Sequence, residues 1–132
     1  ACLIWDFTIV PKLPIDYFVT IPLHWTRMMR RGYNQADEIA RVLAQKKCIT
    51  VVPLLKRIKK TRFQADLSGV ERVNNVANAF DIVHVDRELY YGKNLVLVDD
   101  VMTTGSTLKA AGLKLLELKP ASITVVVAAR VV

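Results

Sequence analysis

Residues 94–107 read NLVLVDDVMTTGST, and the fold turns on how that junction is read. Leu95 to Val98 is an unbroken apolar run, as in a strand buried on both faces of a sheet. The strand is expected to stop at two adjacent carboxylates, Asp99 and Asp100. Val101 and Met102 follow, and then four hydroxyl side chains, Thr103, Thr104, Ser106 and Thr107, gathered around Gly105. Leu108, Ala111, Leu115 and Leu118 mark one face of a helix that ends before Pro120.

That order of elements has a chemical reading. In an open parallel sheet, ligands sit outside the carboxyl ends of the strands. A helix N-terminus adds unpaired N–H groups and the positive end of a dipole, which suits a phosphate. Gly105 lets the backbone approach closely and take a positive φ, and hydroxyls donate to phosphate oxygens. The carboxylates have the opposite preference: they repel phosphate, accept hydrogen bonds from hydroxyls and help to hold a hard cation. A ligand with vicinal hydroxyls next to a phosphate is a ribose 5-phosphate. The bland alternative is a turn with solvated aspartates, and it explains neither the buried strand before the acids nor the hydroxyls heading the helix. Other phosphate and catalytic patterns fail. Gly105 is not followed by the lysine of a Walker loop, and there is no GxGxxG, GxSxG, HExxH or EF-hand pattern. His24 and His84 are isolated and read as structural.

Outward from this junction, strand and helix patterns alternate. Tyr17–Leu23 reads as a strand that stops near Pro22. Asn34 is a good N-cap for a helix running to about Lys47, with Asp37 and Glu38 in its first turn. Ile49–Leu55 reads as a short strand interrupted by Pro53, and 56–67 as a basic, polar excursion. Ser68–Glu71 has a capping-box pattern ahead of a short helix. Residues 79–85 alternate as a strand, and 122–132 reads as a further buried strand. The expectation is an α/β fold with an open, largely parallel sheet flanked by helices, in one domain over residues 1–132.

Composition bounds the rest. The 132 residues are 52% hydrophobic and carry a net charge of +7, so a disordered linker is excluded and an anionic partner is favoured. No apolar run approaches the roughly 20 residues of a membrane span, and the start shows no signal-peptide pattern. Cys2 and Cys48 have no metal-ligand spacing and read as buried or half-buried thiols of a reducing cytoplasm. The chain opens on Ala1, which fits a processed chain or a piece of a longer one.

The stretch LVLVDDVMTTGSTL resembles the phosphoribosyl-pyrophosphate (PRPP) motif of type I phosphoribosyltransferases. IPLHWTRMMRRGYNQADEIARVLA resembles the segment ending in RGFNQ in the ComF/GntX branch, the late-competence relatives of amidophosphoribosyltransferase. TRFQADLSGVERVNNVANAF resembles the same branch's T-x-x-Q…L-S…E-R…N-V…A-F segment. The resemblance implies that Asp99 and Asp100 contact the ribose hydroxyls. It implies that residues Val101, Met102, Thr103, Thr104, Gly105, Ser106 and Thr107 complete the PRPP loop, with 103–107 holding the 5′-phosphate. The loop around His24, Arg30 and Arg31 would lie beside the pyrophosphate. The basic excursion would correspond to the loop that covers the site in catalytic members. Mg²⁺ would enter with PRPP, bridging ligand oxygens and using no direct protein ligand. Relatives of this branch typically begin with a four-cysteine zinc module, which this sequence does not contain.

Three functions follow as expectations. One is transfer of a phosphoribosyl group from PRPP to an unidentified nitrogenous acceptor, with release of pyrophosphate. The second is a non-catalytic PRPP-binding competence protein acting in DNA uptake with other machinery. The third is a charge-driven nucleic-acid binder, disfavoured because the basic runs have no interleaved aromatic platform. Self-association into a homo-oligomer stays open.

Overall fold

A computed structural model describes residues 10–23, 29–30, 32–58 and 79–131. Its axis is β5 (Asn94–Met102), which pairs in parallel with β1 (Tyr17–Thr20) on one side and with β6 (Ser122–Arg130) on the other. Parallel pairing of β1 with β2 (Thr50–Val51) completes a sheet of order β2-β1-β5-β6. Among the described residues, two helices, α1 (Gln35–Lys47) and α2 (Ser106–Leu115), flank it. The fold is therefore the expected α/β arrangement.

Side-chain alternation in β1 and β5 builds two cores. Phe18, Val96 and Val98 turn to one face and pack with Ala40, Leu43 and Ala44 of α1. Val19, Leu95 and Leu97 turn to the other and pack with Leu108, Ala111 and Leu115 of α2. A strand with both faces covered needs apolar residues at every position, which is why residues 95–98 show no polar alternation.

The N-terminal ends of three strands are joined by polar side chains. One Asp16 carboxylate oxygen accepts the Asn94 backbone N–H at 2.7 Å and its side-chain amide at 3.1 Å. The Asn94 amide oxygen accepts the Ser122 hydroxyl at 2.9 Å. These bonds tie the starts of β1, β5 and β6, and a one-residue slip would break all of them.

Several sequence expectations are corrected. β5 does not stop at the acid pair but runs through it to Met102, because β6 supplies partners for Asp99, Val101 and Met102. The strand expected over 49–55 is only Thr50–Val51. The Val52 N–H still bonds the Phe18 carbonyl at 2.8 Å, but Pro53 has no N–H to continue a ladder. The chain then forms β3 (Leu55–Arg57), paired antiparallel with β4 (Phe80–Ile82). The basic excursion thus begins inside a strand, and the strand expected over 79–85 is three residues long. Among the described residues β6 is an edge strand rather than a buried one: Val126 is buried, whereas Val125 is 45% exposed. Cys48 is exposed, in the left-handed conformation that caps α1 (φ 55°). Cys2 and the helix expected after Ser68 lie outside the described residues. Among the described residues no helix is long and apolar enough to cross a membrane.

Candidate functional site

The carboxyl end of β5 brings the acid pair, the hydroxyl turn and the start of α2 together. Asp99 and Asp100 are both half-buried. An Asp99 carboxylate oxygen accepts the Asp100 N–H at 2.9 Å, and an Asp100 oxygen accepts the Val101 N–H at 2.8 Å. Strict alternation would put neighbouring side chains on opposite faces of the sheet. The alternation is out of step here. Met102, an odd number of positions from Leu97, packs on the same core as Leu97, and Val101 is exposed.

Burial pushes the Asp99 carboxyl from 3.8 up to about 6, and the adjacent Asp100 carboxylate adds to the rise. The hydrogen bond from the Asp100 N–H and the charge of Arg57 pull in the other direction. A half-buried carboxyl held this high is costly to the fold, and such groups gather at functional sites.

Thr103, Thr104 and Ser106 are exposed, and Gly105 and Thr107 are half-buried. The Thr104 and Ser106 hydroxyls lie 2.9 Å apart. Gly105 caps α2 at φ 76°, ψ 1°, and its carbonyl accepts the Lys109 N–H at 2.9 Å. This is left-handed backbone that glycine adopts most readily. A Cβ at this position would also lie 3.5 Å from the Met102 sulfur. Gly105 has no side chain to cap α2, and the Ser106 N–H at its head donates to the Thr104 hydroxyl oxygen at 3.4 Å, a long bond that an anion could replace.

Arg57 joins the neighbourhood from β3, a role the sequence reading missed. It is paired across the ribbon with Phe80, and its guanidinium carbon lies 5.3 Å from the centre of the Phe80 ring. Phe80 is in turn packed in the α2-side core with Leu108. In the sequence, Arg57 is one of several basic residues between Lys56 and Arg62. The signal that sets it apart is its spacing of two from the buried Leu55, which puts both on one face of a strand.

The second expected half of the site begins at β1. Asn34 caps α1: its side-chain oxygen accepts the Ala36 N–H at 3.1 Å. Its amide nitrogen donates to the Ile21 carbonyl at 3.0 Å, a contact that the cap pattern does not foretell. Arg30 is exposed. His24 and Arg31 lie outside the described residues, as do Lys59, Lys60 and Arg62. An open cleft of about 480 Å³ lies on the α1 side, lined by Thr20, Asp37, Arg41 and Cys48 among others; it does not include the acid pair or the hydroxyl turn.

Comparison with known proteins speaks to the family and the fold. Residues 28–131 match the family model of the phosphoribosyl transferase domain. Competence protein F of Haemophilus influenzae is 42% identical over 98 residues, covering 74% of this chain and 42% of that protein. DNA utilization protein YhgH of Escherichia coli K12 is 39% identical over 98 residues, covering 73% of this chain and 40% of that protein. The chain thus spans about two fifths of the length of these relatives. An adenine phosphoribosyltransferase crystal structure superposes with a TM-score of 0.58 at 21% identity, over 98% of this chain and 64% of that one. A purine phosphoribosyltransferase from Pyrococcus horikoshii gives 0.53 at 19% identity, over 95% and 77% of the two chains. At those identities the structural likeness speaks for the fold.

Proposed function

The chain belongs to the phosphoribosyl transferase domain family, in the branch of its competence-protein relatives, and from that premise we propose that it binds PRPP at the carboxyl end of β5. The observation that carries the reading is the direct succession of a half-buried acid pair and a hydroxyl turn that enters α2 through left-handed Gly105. Asp99 and Asp100 accept hydrogen bonds from the ribose hydroxyls. The turn 103–107 and the first N–H groups of α2 take the 5′-phosphate. The exposed Arg30, with His24 and Arg31, belongs to the pyrophosphate side. The paired carboxylates are hard oxygen donors that suit Mg²⁺ held through water and ligand oxygens. When bound with PRPP, Mg²⁺ supplies charge neutralisation on the pyrophosphate.

The proposed reaction is transfer of the phosphoribosyl group to a nitrogenous acceptor. The C1–O bond to pyrophosphate breaks, and its electron pair leaves with pyrophosphate. A C1–N bond forms from the acceptor's lone pair, and the acceptor nitrogen then loses a proton to solvent. Positive charge develops on the ribose ring in between, so the work of the protein is to position the ligand and to place negative charge near the ring. Asp99 and Asp100 supply that charge.

A second reading is non-catalytic PRPP binding in DNA uptake. The names of the relatives, a competence protein and a DNA utilization protein, favour it. Calorimetry of PRPP with and without Mg²⁺ tests the shared part. The proposal expects metal-assisted binding that is lost in the Asp99→Asn, Asp100→Asn double variant. Undiminished binding in the variant would refute the ribose assignment. Pyrophosphate release with a panel of amines and nucleobases then separates the two readings. A salt titration of DNA binding with and without PRPP shows whether DNA shares the surface.

A further inference from the structure

The sheet has two edges, and they are finished differently. β2 is two residues long, and Pro53 soon after it has no N–H to extend the ladder. An edge so short offers little to another strand. β6 runs from Ser122 to Arg130 and is in register with β5 along its whole length, from Asn94 to Met102. Among the described residues no strand lies on its other side. About half of its backbone N–H and C=O groups therefore point away from β5. The devices that usually blunt such an edge are lacking. SITVVVAAR holds no proline, no glycine and no lysine, and its one charge is Arg130 at the end. Val125, Ala128 and Ala129 are exposed, so the edge is apolar as well as open.

A row of outward backbone groups asks for a strand, and the sequence of β6 fits its own. The midpoint of Ser122–Arg130 is Val126. An antiparallel copy on a two-fold axis through Val126 pairs every residue of the strand: Val125 with Val127, Thr124 with Ala128, Ile123 with Ala129, and Ser122 with Arg130. Apolar side chains and one threonine meet along the middle, where directly opposed residues share a face. The exposed Val125 of each copy lies beside the half-buried Val127 of the other. At both ends a serine faces the arginine, so the only charges of the two strands are held apart. The Ser122 hydroxyl donates to Asn94, and its oxygen keeps lone pairs for the guanidinium. We propose that β6 is a self-complementary interface whose partner is a second copy of this chain, joined strand to strand into one sheet with four strands from each copy. A two-fold contact closes on itself, so the assembly stops at a dimer. The two copies of β5 run in opposite directions, so their acid pairs lie at opposite ends of the joined sheet. The inference does not depend on what those sites bind.

The test is the mass of the full chain by light scattering over a concentration series, for the wild type, Ser122→Glu, Ser122→Arg and Val125→Lys. Ser122 and Val125 are exposed. Both Ser122 variants lose the same bond to Asn94, so the difference between them reads the residue across the two-fold. The wild type is expected to be a dimer that dissociates on dilution. Ser122→Glu sets a carboxylate opposite Arg130 of the second copy and should lower the dissociation constant by about tenfold. Ser122→Arg sets two cations against each other, and Val125→Lys puts a charge in the apolar middle. Each should raise the constant by about tenfold, because every substitution acts twice in one dimer. A wild type that stays monomeric up to about 1 mM would overturn the proposal. So would a mass that grows past the dimer. A dimer on which Ser122→Glu and Ser122→Arg act alike would overturn it too, since that dimer uses another face or another register. If Val125→Lys does not fold, the two Ser122 variants decide.

Discussion

The two ends of β5 each present an aspartate, and the surroundings treat them in opposite ways. Beside the start of the strand, Asp16, the residue before β1, accepts two hydrogen bonds from Asn94. The backbone hydrogen bond from Asn94 holds its carboxyl below 3.8, and the Asn94 side chain and Lys93 help. At the far end, burial pushes Asp99 up to about 6. One carboxylate is arranged to stabilise the fold. The other is kept where its charge costs stability, as expected of a group retained for a ligand. The difference explains why two acids near one strand should respond oppositely to mutation and to pH.

The largest break in this contrast is expected at Gly105. Gly105→Val forces a β-branched residue to φ 76° beside the Met102 sulfur, at a cost of about 1–3 kcal/mol. Ribose 5-phosphate binding should fall below detection in calorimetry, while the Asp16 end of the strand is untouched. Next in size is the Asp99→Asn, Asp100→Asn variant. PRPP affinity should drop by about 100-fold, two charge-assisted hydrogen bonds at ~1.4 kcal/mol each. Its stability should move the other way. The Asp99 carboxyl titrates higher in the folded chain than in the unfolded one, so its penalty is absent below 3.8, grows as pH rises and is complete above about 6. The variant should therefore melt higher than wild type at neutral pH, by about 3 °C or more, and the gain should vanish in acid.

Asp16→Ala is the mirror experiment. The contribution of Asp16 is present above 3.8 and is lost as pH falls through its lowered folded value. The variant should lose about 1–2 kcal/mol at neutral pH in urea denaturation, lose less in acid, and keep wild-type affinity for PRPP. The smallest expected effect belongs to Arg57→Gln. Arg57 lowers the Asp99 pKa, and it is the last and weakest of the influences on it. Without it, the pH midpoint for PRPP binding should move upward by less than about one unit. The variant should then bind more weakly than wild type near pH 6 and match it well above that.

Much of this contrast was legible in the sequence because its signals are local. The apolar run 95–98, the cap at Asn34 and the hydroxyl turn before Leu108 each fall within one element. Their placement as strand, helix start and helix entry holds. What escaped is long-range. The extension of β5 through Asp99 to Met102 depends on β6, about thirty residues later in the chain. The β3–β4 ribbon joins two three-residue segments across a gap of more than twenty residues; alternation over 79–85 marks β4 as a strand, but it neither registers β3 nor says that the two pair. Arg57 was lost among its basic neighbours for that reason: its spacing of two from Leu55 gains meaning only once the segment is paired as a strand opposite Phe80. The edge position of β6 escaped as well, because an apolar run is compatible with a central strand or an edge one.

The most direct measurement is a carbon-13 NMR titration of the Asp16 and Asp99 side-chain carboxyls, with and without Mg²⁺ and ribose 5-phosphate. The account predicts that Asp16 titrates below 3.8 and ignores the ligand. It predicts that Asp99 titrates near 6 in the free protein and moves down when the ribose hydroxyls donate to its carboxylate. An Asp99 that titrates at or below 3.8, or that stays near 6 with ligand bound, would contradict the claim that this end of β5 is held ready for a ribose phosphate.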